Sequence, residues 1–456
     1  DELDAECGEI RKRMNREVYR RVISQYIERD DYWWMGFTDD RINNWNPWCN
    51  MNILMACAFM DFDPGIKAKA VEKVTRSLDQ YFEQYPDDGA CDEGPMYWGA
   101  AGAGLGICIE LLKGMSGDAV DGSGIDKLRR IGAYFYKVHI DKDWFVNYAD
   151  GDARVDVPAS VFRFGRLIKD ENLTRLGAAA KTPEPRSDNW FQIYGYLAGI
   201  FDKPRRDAVN SGAPYILQSY FKDCQILCAR EKEGGAEGFF LSAKGGNNLE
   251  SHNHNDVGSF IVYLDGKPLF IDMGTEEYRL QTFSKNRFDL WYLQSQYHNC
   301  PTIAGALQRD GRNYRARDVQ SHMDGCCAWI LMDITDAYPG GKAAAWRRKI
   351  TLIRGGEPYI SIVDDYELAK ECPGTACNFM TLSMPVAMDG YIAIDCGQDS
   401  RAVLDYDRAA LDADIEEIAL SDSRLARNWG EKVYRIVLRE KQPVKKARRE
   451  FTVRRG

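Results

Sequence analysis

The sequence predicts an α+β protein with two domains, in which helices come first and antiparallel sheets follow. The chain has 456 residues, which exceeds the size of one ordinary domain. Apolar residues recur at helical spacing in the N-terminal half, whereas short apolar runs separated by turn residues fill the C-terminal half. We therefore predict a helical domain over residues 1–205 and a β-rich domain over residues 206–456.

Helical periodicity is clearest in four N-terminal segments: Glu9–Glu28, Ile66–Phe82, Ala100–Leu112 and Ile125–Val138. Loop residues separate these segments, and the alternation favours stacked antiparallel hairpins in a bundle, a solenoid or a toroid. After a loop at Lys181–Pro185, one last helix is predicted over Asn189–Phe201. Lys203–Arg206 then has the composition of a linker.

Strand signals begin after this linker. Phe260–Leu264 and Leu269–Ile271 flank Asp265-Gly266, a dipeptide that favours a tight hairpin turn. Further strands are predicted at Ala328–Ile334, Arg348–Ile353, Tyr359–Val363, Tyr391–Asp395 and Val433–Leu438. Many short strands with turn signals predict a large antiparallel β-sandwich.

The charge and hydropathy of the chain exclude two classes of function. The net charge is −9, with 60 basic against 69 acidic residues, which argues against a general nucleic-acid binder. A local basic cleft for an anionic sugar remains compatible with this balance. No run approaches the roughly 18 apolar residues of a membrane span.

The cysteines indicate a cellular compartment. Thirteen cysteines without CxxC spacing favour free thiols and a reducing environment. We therefore expect a cytoplasmic protein, with a periplasmic or secreted location as the alternative if a signal was removed. The chain starts at Asp1 without a Met, so we expect a mature or truncated product.

The densest group of candidate functional residues is Ser251–Asp256, with the sequence SHNHND, because the whole chain has only five histidines. An ideal hairpin would pair Asp272 near Ser259, too far from His254 for contact at about 3.3 Å per residue. The SHNHND segment must therefore curl as a loop. His254, Asp272 and His298 would then form a two-histidine, one-carboxylate set for a divalent ion, with zinc preferred and manganese possible. The alternative is that they are polar loop residues at a sheet edge.

The same region resembles a known family. The run His252–Phe260, continuing through Gly266–Pro268 into Phe270–Gly274, is similar to the central motif of the heparinase II/III β-domain. His298 lies at the distance where that family has its last metal ligand.

The helical half agrees with this resemblance. Asn43–Trp48 and Asp92–Trp98 resemble cleft segments of the family's (α/α) toroid, and the resemblance runs from about Trp33 to Gly305. Because family members usually carry more helices, the toroid here is expected to be shortened or truncated.

The resemblance implies a fold and an activity. The fold would be a shortened N-terminal (α/α) toroid followed by a C-terminal antiparallel β-sandwich. The activity would be that of a polysaccharide lyase cleaving an anionic, uronate-containing polysaccharide by β-elimination. A glycosaminoglycan such as heparan sulfate, chondroitin sulfate or hyaluronan is favoured, with alginate or another uronate as the alternative. His252 corresponds to the catalytic histidine, and His254, Asp272 and His298 correspond to a structural metal site.

β-Elimination needs a neutraliser for the uronate carboxylate, a base for the C5 proton and an acid for the departing O4. Tyr148 is the predicted base or acid, because the family has a tyrosine at a similar interval after its neutralising residue. Glu93 is the predicted neutraliser, with Asn43 or Asn44 as alternatives. Tyr148 could otherwise pack at a helix end, and Glu93 could otherwise belong to a helix-start turn.

Aromatic, amide and basic side chains near these segments are candidate sugar contacts. The predicted substrate-binding residues are Asn43, Asn44, Trp45, Tyr97, Trp98, Arg154, Tyr278 and Arg312. Each has a plainer alternative, since indole rings often lie in cores and basic loop residues often lie on solvated surfaces.

Two other classes of function compete. A toroid glycoside hydrolase would need two carboxylates across a cleft, for which Glu93 with Asp150 or Asp152 are candidates. A non-catalytic carbohydrate-binding protein is the third interpretation. A lyase product carries a C4–C5 double bond that absorbs ultraviolet light, whereas a hydrolase product does not. The sequence carries no trace of the oligomeric state.

Overall fold

The structure is a computed structural model that describes residues 2–38, 41–180, 193–200, 202, 212–397 and 400–456. The predicted loop at Lys181–Pro185 and the predicted linker at Lys203–Arg206 lie outside the described residues. Asn189, where the last N-terminal helix was expected to begin, lies outside them too.

The chain folds into two compact units, within each of which the residues contact one another densely. Unit 1 comprises residues 1–91, 97–135 and 156–213, and unit 2 comprises residues 92–96, 136–155 and 214–456. The boundary at residue 205 stays a prediction. Two short segments of the N-terminal half, 92–96 and 136–155, group with the β-rich unit, and they carry several of the candidate site residues.

The N-terminal half is helical. Its α-helices are α1 Glu2–Val18, α2 Ser24–Glu28, α3 Trp45–Phe59, α4 Pro64–Gln84, α5 Pro95–Trp98, α6 Gly102–Met115, α7 Asp126–Lys137, α8 Ser160–Ile168, α9 Glu171–Ala179 and α10 Ile193–Ile200. A π-helical turn, Tyr19–Ile23, joins α1 to α2. These helices confirm the predicted periodic segments, while α3, α8 and α9 were not predicted.

Helix α4 shows why these boundaries form. The Asp63 carboxylate accepts hydrogen bonds from the backbone N–H groups of Gly65 at 2.8 Å and Ile66 at 3.3 Å. Pro64 occupies the first helical position, where its missing N–H costs nothing. The helix therefore starts at Pro64, two residues before the predicted periodic segment Ile66–Phe82.

Trp98 lies in the core of unit 1. Its side chain is fully buried, its ring stacks on Phe135 with centroids 4.4 Å apart, and Nε1 donates to the Ile131 carbonyl at 2.8 Å. A Cβ at Gly102 would lie 2.1 Å from that nitrogen, so the glycine makes room for the indole. This corrects the expectation that Trp98 is a sugar platform, because a ring packed on all sides cannot meet a sugar.

The rest of the chain is dominated by antiparallel strands. The strands are β1 His139–Asp141, β2 Trp144–Phe145, β3 Gln218–Phe221, β4 Ile226–Arg230, β5 Phe239–Lys244, β6 Asn247–Asn248, β7 Phe260–Leu264, β8 Lys267–Phe270, β9 Pro301–Thr302, β10 Gly311–Arg315, β11 Arg317–Met323, β12 Cys327–Asp333, β13 Ala343–Ile353, β14 Tyr359–Leu368, β15 Ala376–Thr381, β16 Pro385–Ala387, β17 Tyr391–Asp395, β18 Arg401–Asp405, β19 Leu411–Ala419, β20 Lys432–Glu440 and β21 Lys446–Arg455. One α-helix, α11 Ser423–Trp429, interrupts them within the described part of this region.

Three of the sheets of unit 2 are large. Their strand orders are β3-β4-β5-β7-β8, β11-β12-β13-β14-β21-β18-β17-β16 and β19-β20-β15-β9. Apolar side chains of all three meet in one buried cluster that includes Phe260, Trp346, Phe379 and Phe451. The α+β class, with helices followed by antiparallel sheets, is thus confirmed. Within the described residues, no helix combines the length and apolar character that crossing a bilayer requires.

The predicted hairpin is formed by β7 and β8, with Leu264 opposite Lys267. Asp265 and Gly266 have φ values of 52° and 72°, as a primed two-residue turn requires. The SHNHND segment lies between β6 and β7 and contains no strand, as predicted.

Asp265 also links this turn to the C-terminal strand. Its carboxylate accepts two hydrogen bonds from the Arg455 guanidinium, at 2.8 and 2.9 Å, and one from Ser400 at 2.8 Å. Partial burial disfavours the charged carboxylate, but the Arg455 bonds outweigh it and lower the pKa of Asp265 to about 2.

We predict that Asp265→Asn lowers the free energy of unfolding at neutral pH by up to about 1 kcal/mol, the order expected for a partly exposed ion pair. Because the folded-state pKa of Asp265 lies below its unfolded value, this stabilisation is present above about pH 4 and is lost towards pH 2. Urea unfolding at pH 7 and pH 3 measures it. Arg455→Gln should show the same loss, and an Asp265→Asn effect of equal size at both pH values would contradict the assignment.

Candidate functional site

The SHNHND loop is held at both ends by one buried ammonium group. Lys244, on β5, places Nζ 2.7 Å from Asp256 Oδ1 and 3.1 Å from Glu250 Oε2. Burial disfavours the charged amine, but the two carboxylates outweigh it and raise the pKa of Lys244, so the group stays protonated. Because Glu250 precedes the loop and Asp256 ends it, both ends are fixed to the same strand.

Further hydrogen bonds fix the interior of the loop. Arg287 donates to the backbone carbonyls of His252 at 3.1 Å and Asn253 at 3.2 Å. The Gln308 amide pairs with the N–H and C=O of Val257, at 3.0 and 2.7 Å. His252 has a φ of 55°, a left-handed conformation that is uncommon for a residue with a side chain and needs such support.

His254, Asp272 and His298 come together, as predicted. All three are fully buried, and their candidate ligand atoms lie within 4.8 Å of one another. His298 Nδ1 lies 2.8 Å from Asp272 Oδ2. Nδ1 of His254 and Nε2 of His298 have no hydrogen-bond partner within the described part of the chain. Buried polar atoms are rarely left this way, so two imidazole nitrogens and a carboxylate fit a divalent metal ion.

The pKa shifts of His254 and Asp272 favour metal binding, whereas burial of His298 is outweighed by Asp272, which raises the pKa of His298, so a metal ion bound there would displace a proton. Burial lowers the pKa of His254, which keeps its imidazole neutral, as a metal ligand must be. Burial disfavours the Asp272 carboxylate, but the neighbouring His298 imidazole outweighs it and lowers the pKa of Asp272.

A second group, His322, Asp324 and Cys327, also has ligand atoms within 4.8 Å of one another. It lies at the turn between β11 and β12. Asp324 already accepts the backbone N–H groups of Cys326 and Cys327, at 2.7 and 2.8 Å, and its second oxygen lies 2.8 Å from His322 Nε2. Both oxygens of the Asp324 carboxylate thus have partners within the protein, and these contacts hold the turn between β11 and β12.

A single buried carboxylate, Asp150, contacts both histidines of the SHNHND loop. Its Oδ2 lies 2.9 Å from His252 Nδ1 and accepts from the Tyr278 hydroxyl at 3.0 Å. Its Oδ1 lies 3.0 Å from His254 Nε2 and accepts from Arg287 at 2.8 Å. Burial opposes the charge, but the histidine hydrogen bonds and Arg287 lower the pKa of Asp150 well below its ordinary value.

The segment that carries Asp150 approaches the loop after β8 very closely. Asn147 donates to the Asp272 carbonyl at 3.0 Å. Gly274 has a φ of 68°, and a Cβ there would lie 2.6 Å from the Gly151 carbonyl oxygen. A glycine is therefore required at this position for the two segments to meet.

Glu93 and Tyr278 lie beside His252. Glu93 is 4% exposed, and its Oε2 lies 3.5 Å from His252 Nε2. The Tyr278 hydroxyl lies 3.2 Å from His252 Nδ1, and the tyrosine is 37% exposed. The Arg424 guanidinium lies 5.3 Å from the centroid of the Tyr278 ring. Two carboxylates, an imidazole and a phenol thus meet within unit 2.

Tyr148, the tyrosine predicted to act as base or acid, is only 5% exposed. Burial raises the pKa of its hydroxyl well above the ordinary value. The Lys244 ammonium lies 5.8 Å from the centroid of its ring. In this structure the Tyr148 side chain is buried beside Lys244, whereas Tyr278, predicted as a sugar contact, reaches His252.

Two predicted arginine contacts lie on the surface of unit 2. Arg154 packs over the Trp144 ring at 4.2 Å and lies 3.3 Å from Asp143. Arg312 is exposed on β10, which pairs with β6, the strand from which the SHNHND loop departs.

The other predicted substrate contacts belong to unit 1. Asn44 is buried, whereas Trp45 is 45% exposed at the start of α3. The Trp45 ring lies 5.9 Å from that of Trp33 and 5.3 Å from that of Trp48, which makes a partly exposed aromatic cluster. Asn43 and Tyr97 are half-buried in the same unit.

Sequence reasoning did not assign Lys244 and Arg287, and it considered Asp150 only as a hydrolase carboxylate. Lys244 could have been noticed as a charge in an otherwise apolar strand, Phe239–Ala243. Asp150 lies two residues after Tyr148 in a turn sequence. Arg287 carries no signal of its own in the sequence.

Residues 238–429 match the family model described as heparinase II/III-like, C-terminal. No curated protein matches the chain significantly. The chain is similar in fold to heparan sulfate lyase HepC from Pedobacter heparinus, with a TM-score of 0.69, 12% identity and 96% of this chain covered. It spans 62% of that protein's length.

Two more solved structures share the fold. A heparinase III has a TM-score of 0.68 at 13% identity, over 92% of this chain and 60% of its own. A chondroitin AC lyase from Streptomyces coelicolor A3, solved with chondroitin sulphate, has a TM-score of 0.53 at 12% identity, over 95% of this chain and 70% of its own. Over residues 238–429 the chain is thus similar to the heparinase II/III-like C-terminal family.

Proposed function

We propose that the chain is a polysaccharide lyase that cleaves uronate-containing polysaccharides by β-elimination. The observation that carries the proposal is the position of His252, 3.5 Å from Glu93 and 3.2 Å from the Tyr278 hydroxyl, within the heparinase II/III-like region. A glycosaminoglycan is the favoured substrate, because the similar structures are described as heparan sulfate and chondroitin lyases. Alginate and other uronates are the alternative.

The proposed reaction requires two proton transfers. The C5–H bond breaks, its electron pair forms the C4–C5 double bond, the C4–O4 bond breaks, and O4 receives a proton. In our proposal His252 and Tyr278 are the proton-transfer pair, one taking the C5 proton and the other protonating O4. Arg424, 5.3 Å from the Tyr278 ring centroid, would stabilise a phenolate.

Glu93 is the proposed neutraliser of the uronate. Arg287 already offsets the charge of Asp150, at 2.8 Å. A bound uronate would add a third carboxylate to Glu93 and Asp150, so Glu93 would have to carry a proton and donate it in a hydrogen bond. Without this neutralisation the carbon next to a carboxylate is a very poor acid.

A glycoside hydrolase is less well supported. Its two carboxylates would be Glu93 and Asp150, but Asp150 accepts from four donor groups and is fully buried. A carboxylate held this way cannot attack a sugar or activate a water. The arrangement around Asp150 therefore favours a lyase over a hydrolase.

We further propose that the helices of unit 1 form a shortened (α/α) toroid and that the sheets of unit 2 form a β-sandwich. The likeness in fold to the heparan sulfate lyases supports this proposal. Asn43, Asn44, Trp45, Tyr97, Arg154 and Arg312 remain proposed sugar contacts.

His254, Asp272 and His298 would hold the metal, for which we propose zinc, with manganese as the alternative. When bound, the ion would stabilise the fold of the SHNHND loop without contacting the substrate. His252 lies two residues from His254, so the order of the loop determines where its imidazole lies.

We predict that the protein releases products absorbing in the ultraviolet from at least one uronate polysaccharide, measured across a panel of heparan sulfate, chondroitin sulfate, hyaluronan and alginate. His252→Ala should reduce the rate by about 100- to 10,000-fold, the usual contribution of a proton-transfer group. His322→Ala, on an exposed turn, is the matched control. Reducing ends without ultraviolet absorbance would indicate hydrolysis and contradict the proposal.

We predict that Tyr278→Phe lowers kcat by about 100-fold or more, because it removes the hydroxyl next to His252. Tyr148→Phe should change kcat far less, since that hydroxyl is buried. Steady-state kinetics on the cleaved substrate measure both variants. The opposite ranking would return the proton-transfer role to Tyr148.

We predict that His254→Ala loses metal, thermal stability and activity together, whereas His252→Ala loses activity alone. Metal bound only to the folded protein stabilises it, by about 2.7 kcal/mol at 100 times Kd. Elemental analysis and thermal unfolding, each with and without a chelator, measure the effect. Full thermal stability in metal-free His254→Ala protein would contradict the role of the site.

A further inference from the structure

The Asp150 carboxylate uses one oxygen for each histidine of the SHNHND loop. Oδ1 lies 3.0 Å from Nε2 of His254, and Oδ2 lies 2.9 Å from Nδ1 of His252. Asp150 and His254 are fully buried, so water does not compete for the bond between them, whereas the His252 side chain is 21% exposed. Hydrogen bonds from an imidazole N–H to a carboxylate oxygen are among the stronger ones in proteins.

These two bonds determine which ring nitrogen of each histidine keeps its lone pair. A neutral imidazole that donates one N–H presents the other nitrogen as an acceptor or ligand. For His254 the nitrogen left over is Nδ1, the atom without a partner beside Asp272 and His298. For His252 it is Nε2, which lies 3.5 Å from Glu93.

We infer that Asp150 is a positioning residue that couples the metal site to His252. With a metal ion held by His254, Asp272 and His298, the His254 Nε2–H would be a better donor, so its bond to Asp150 Oδ1 would be stronger and would fix the carboxylate. The second oxygen of the same carboxylate then holds the His252 imidazole in place. Metal occupancy therefore determines the orientation of His252 through one side chain.

Asp150 could also have a purely structural role, in holding the segment 147–152 in place. The neighbouring Asp152 makes hydrogen bonds that anchor this segment without contacting a histidine in the described part of the chain. Asp152 accepts from Arg424 Nε at 2.8 Å and from the Asn428 amide at 3.2 Å. It contacts neither histidine among the described hydrogen bonds. Asp152→Asn is therefore a matched control in the same turn.

The inference that Asp150 supports metal binding does not depend on the proposed function, whereas the inference that it orients His252 for catalysis rests on that function. The first experiment titrates zinc into metal-stripped, full-length wild type, Asp150→Asn and Asp152→Asn, with a competing chelator. We expect Asp150→Asn to bind zinc about 10- to 100-fold more weakly, as for other partners of metal-bound histidines. Asp152→Asn should keep wild-type affinity. Unchanged affinity in folded Asp150→Asn would overturn the inference.

The second experiment follows the ring nitrogens of the five histidines by NMR in protein labelled with ¹⁵N-histidine. Adding zinc to metal-free wild type should shift the signals of His252 together with those of His254 and His298. In Asp150→Asn the His252 signals should no longer respond. If Asp150→Asn does not fold, the wild-type spectrum decides, because a His252 signal that zinc leaves unchanged overturns the coupling.

Kinetics separate this inference from the proposed function. On a cleaved polysaccharide, Asp150→Asn should lower kcat with little change in KM, because the imidazole is misplaced while the sugar contacts remain. A wild-type protein that cleaves no uronate, yet binds zinc in an Asp150-dependent way, would overturn the lyase proposal. It would still support the inference that Asp150 contributes to metal binding.

Discussion

The buried ammonium of Lys244 is the interaction on which the site depends. A charge without a partner at that depth would be very costly, so Glu250 and Asp256 must both come within hydrogen-bond reach of it. Because these two carboxylates delimit the SHNHND loop, satisfying one charge also determines where the loop begins and ends. The histidines between them are then confined to a short span of chain above strand β5.

The interior of the SHNHND loop is held by a second set of charged and polar contacts, centred on Asp150. Asp150 is surrounded by donors from His252, His254, Tyr278 and Arg287, which together keep the carboxylate ionised. This network also supports the left-handed backbone of His252, which would be strained in isolation. A loop held this way leaves the His252 imidazole partly exposed and directs the His254 imidazole towards Asp272 and His298, so the same network determines the loop conformation and the site geometry.

Much of the fold and the course of the SHNHND loop could be predicted, because the residues that determine them lie close together in the sequence. The Asp265-Gly266 turn was recognisable from the positive φ that both positions adopt, and the curled loop followed from the register that the hairpin imposes. The surroundings of Tyr148 could not be predicted, for a physical reason. The sequence around a tyrosine at a turn does not reveal whether its hydroxyl is exposed or buried. For Tyr148 the tertiary structure decides, because the side chain is buried beside Lys244 of the sheet.

The sequence by itself determined the order of helices and strands, the hairpin, and the set of His254, Asp272 and His298, since periodicity, turn chemistry and ligand types are properties of residues. Tertiary structure alone decided that residues 92–96 and 136–155 group with the β-rich unit, which brings Glu93 and Asp150 to His252. It also decided which tyrosine reaches that histidine. The contacts of Glu93 and Asp150 with His252 join positions more than 100 residues apart, and no local pattern encodes such a distance.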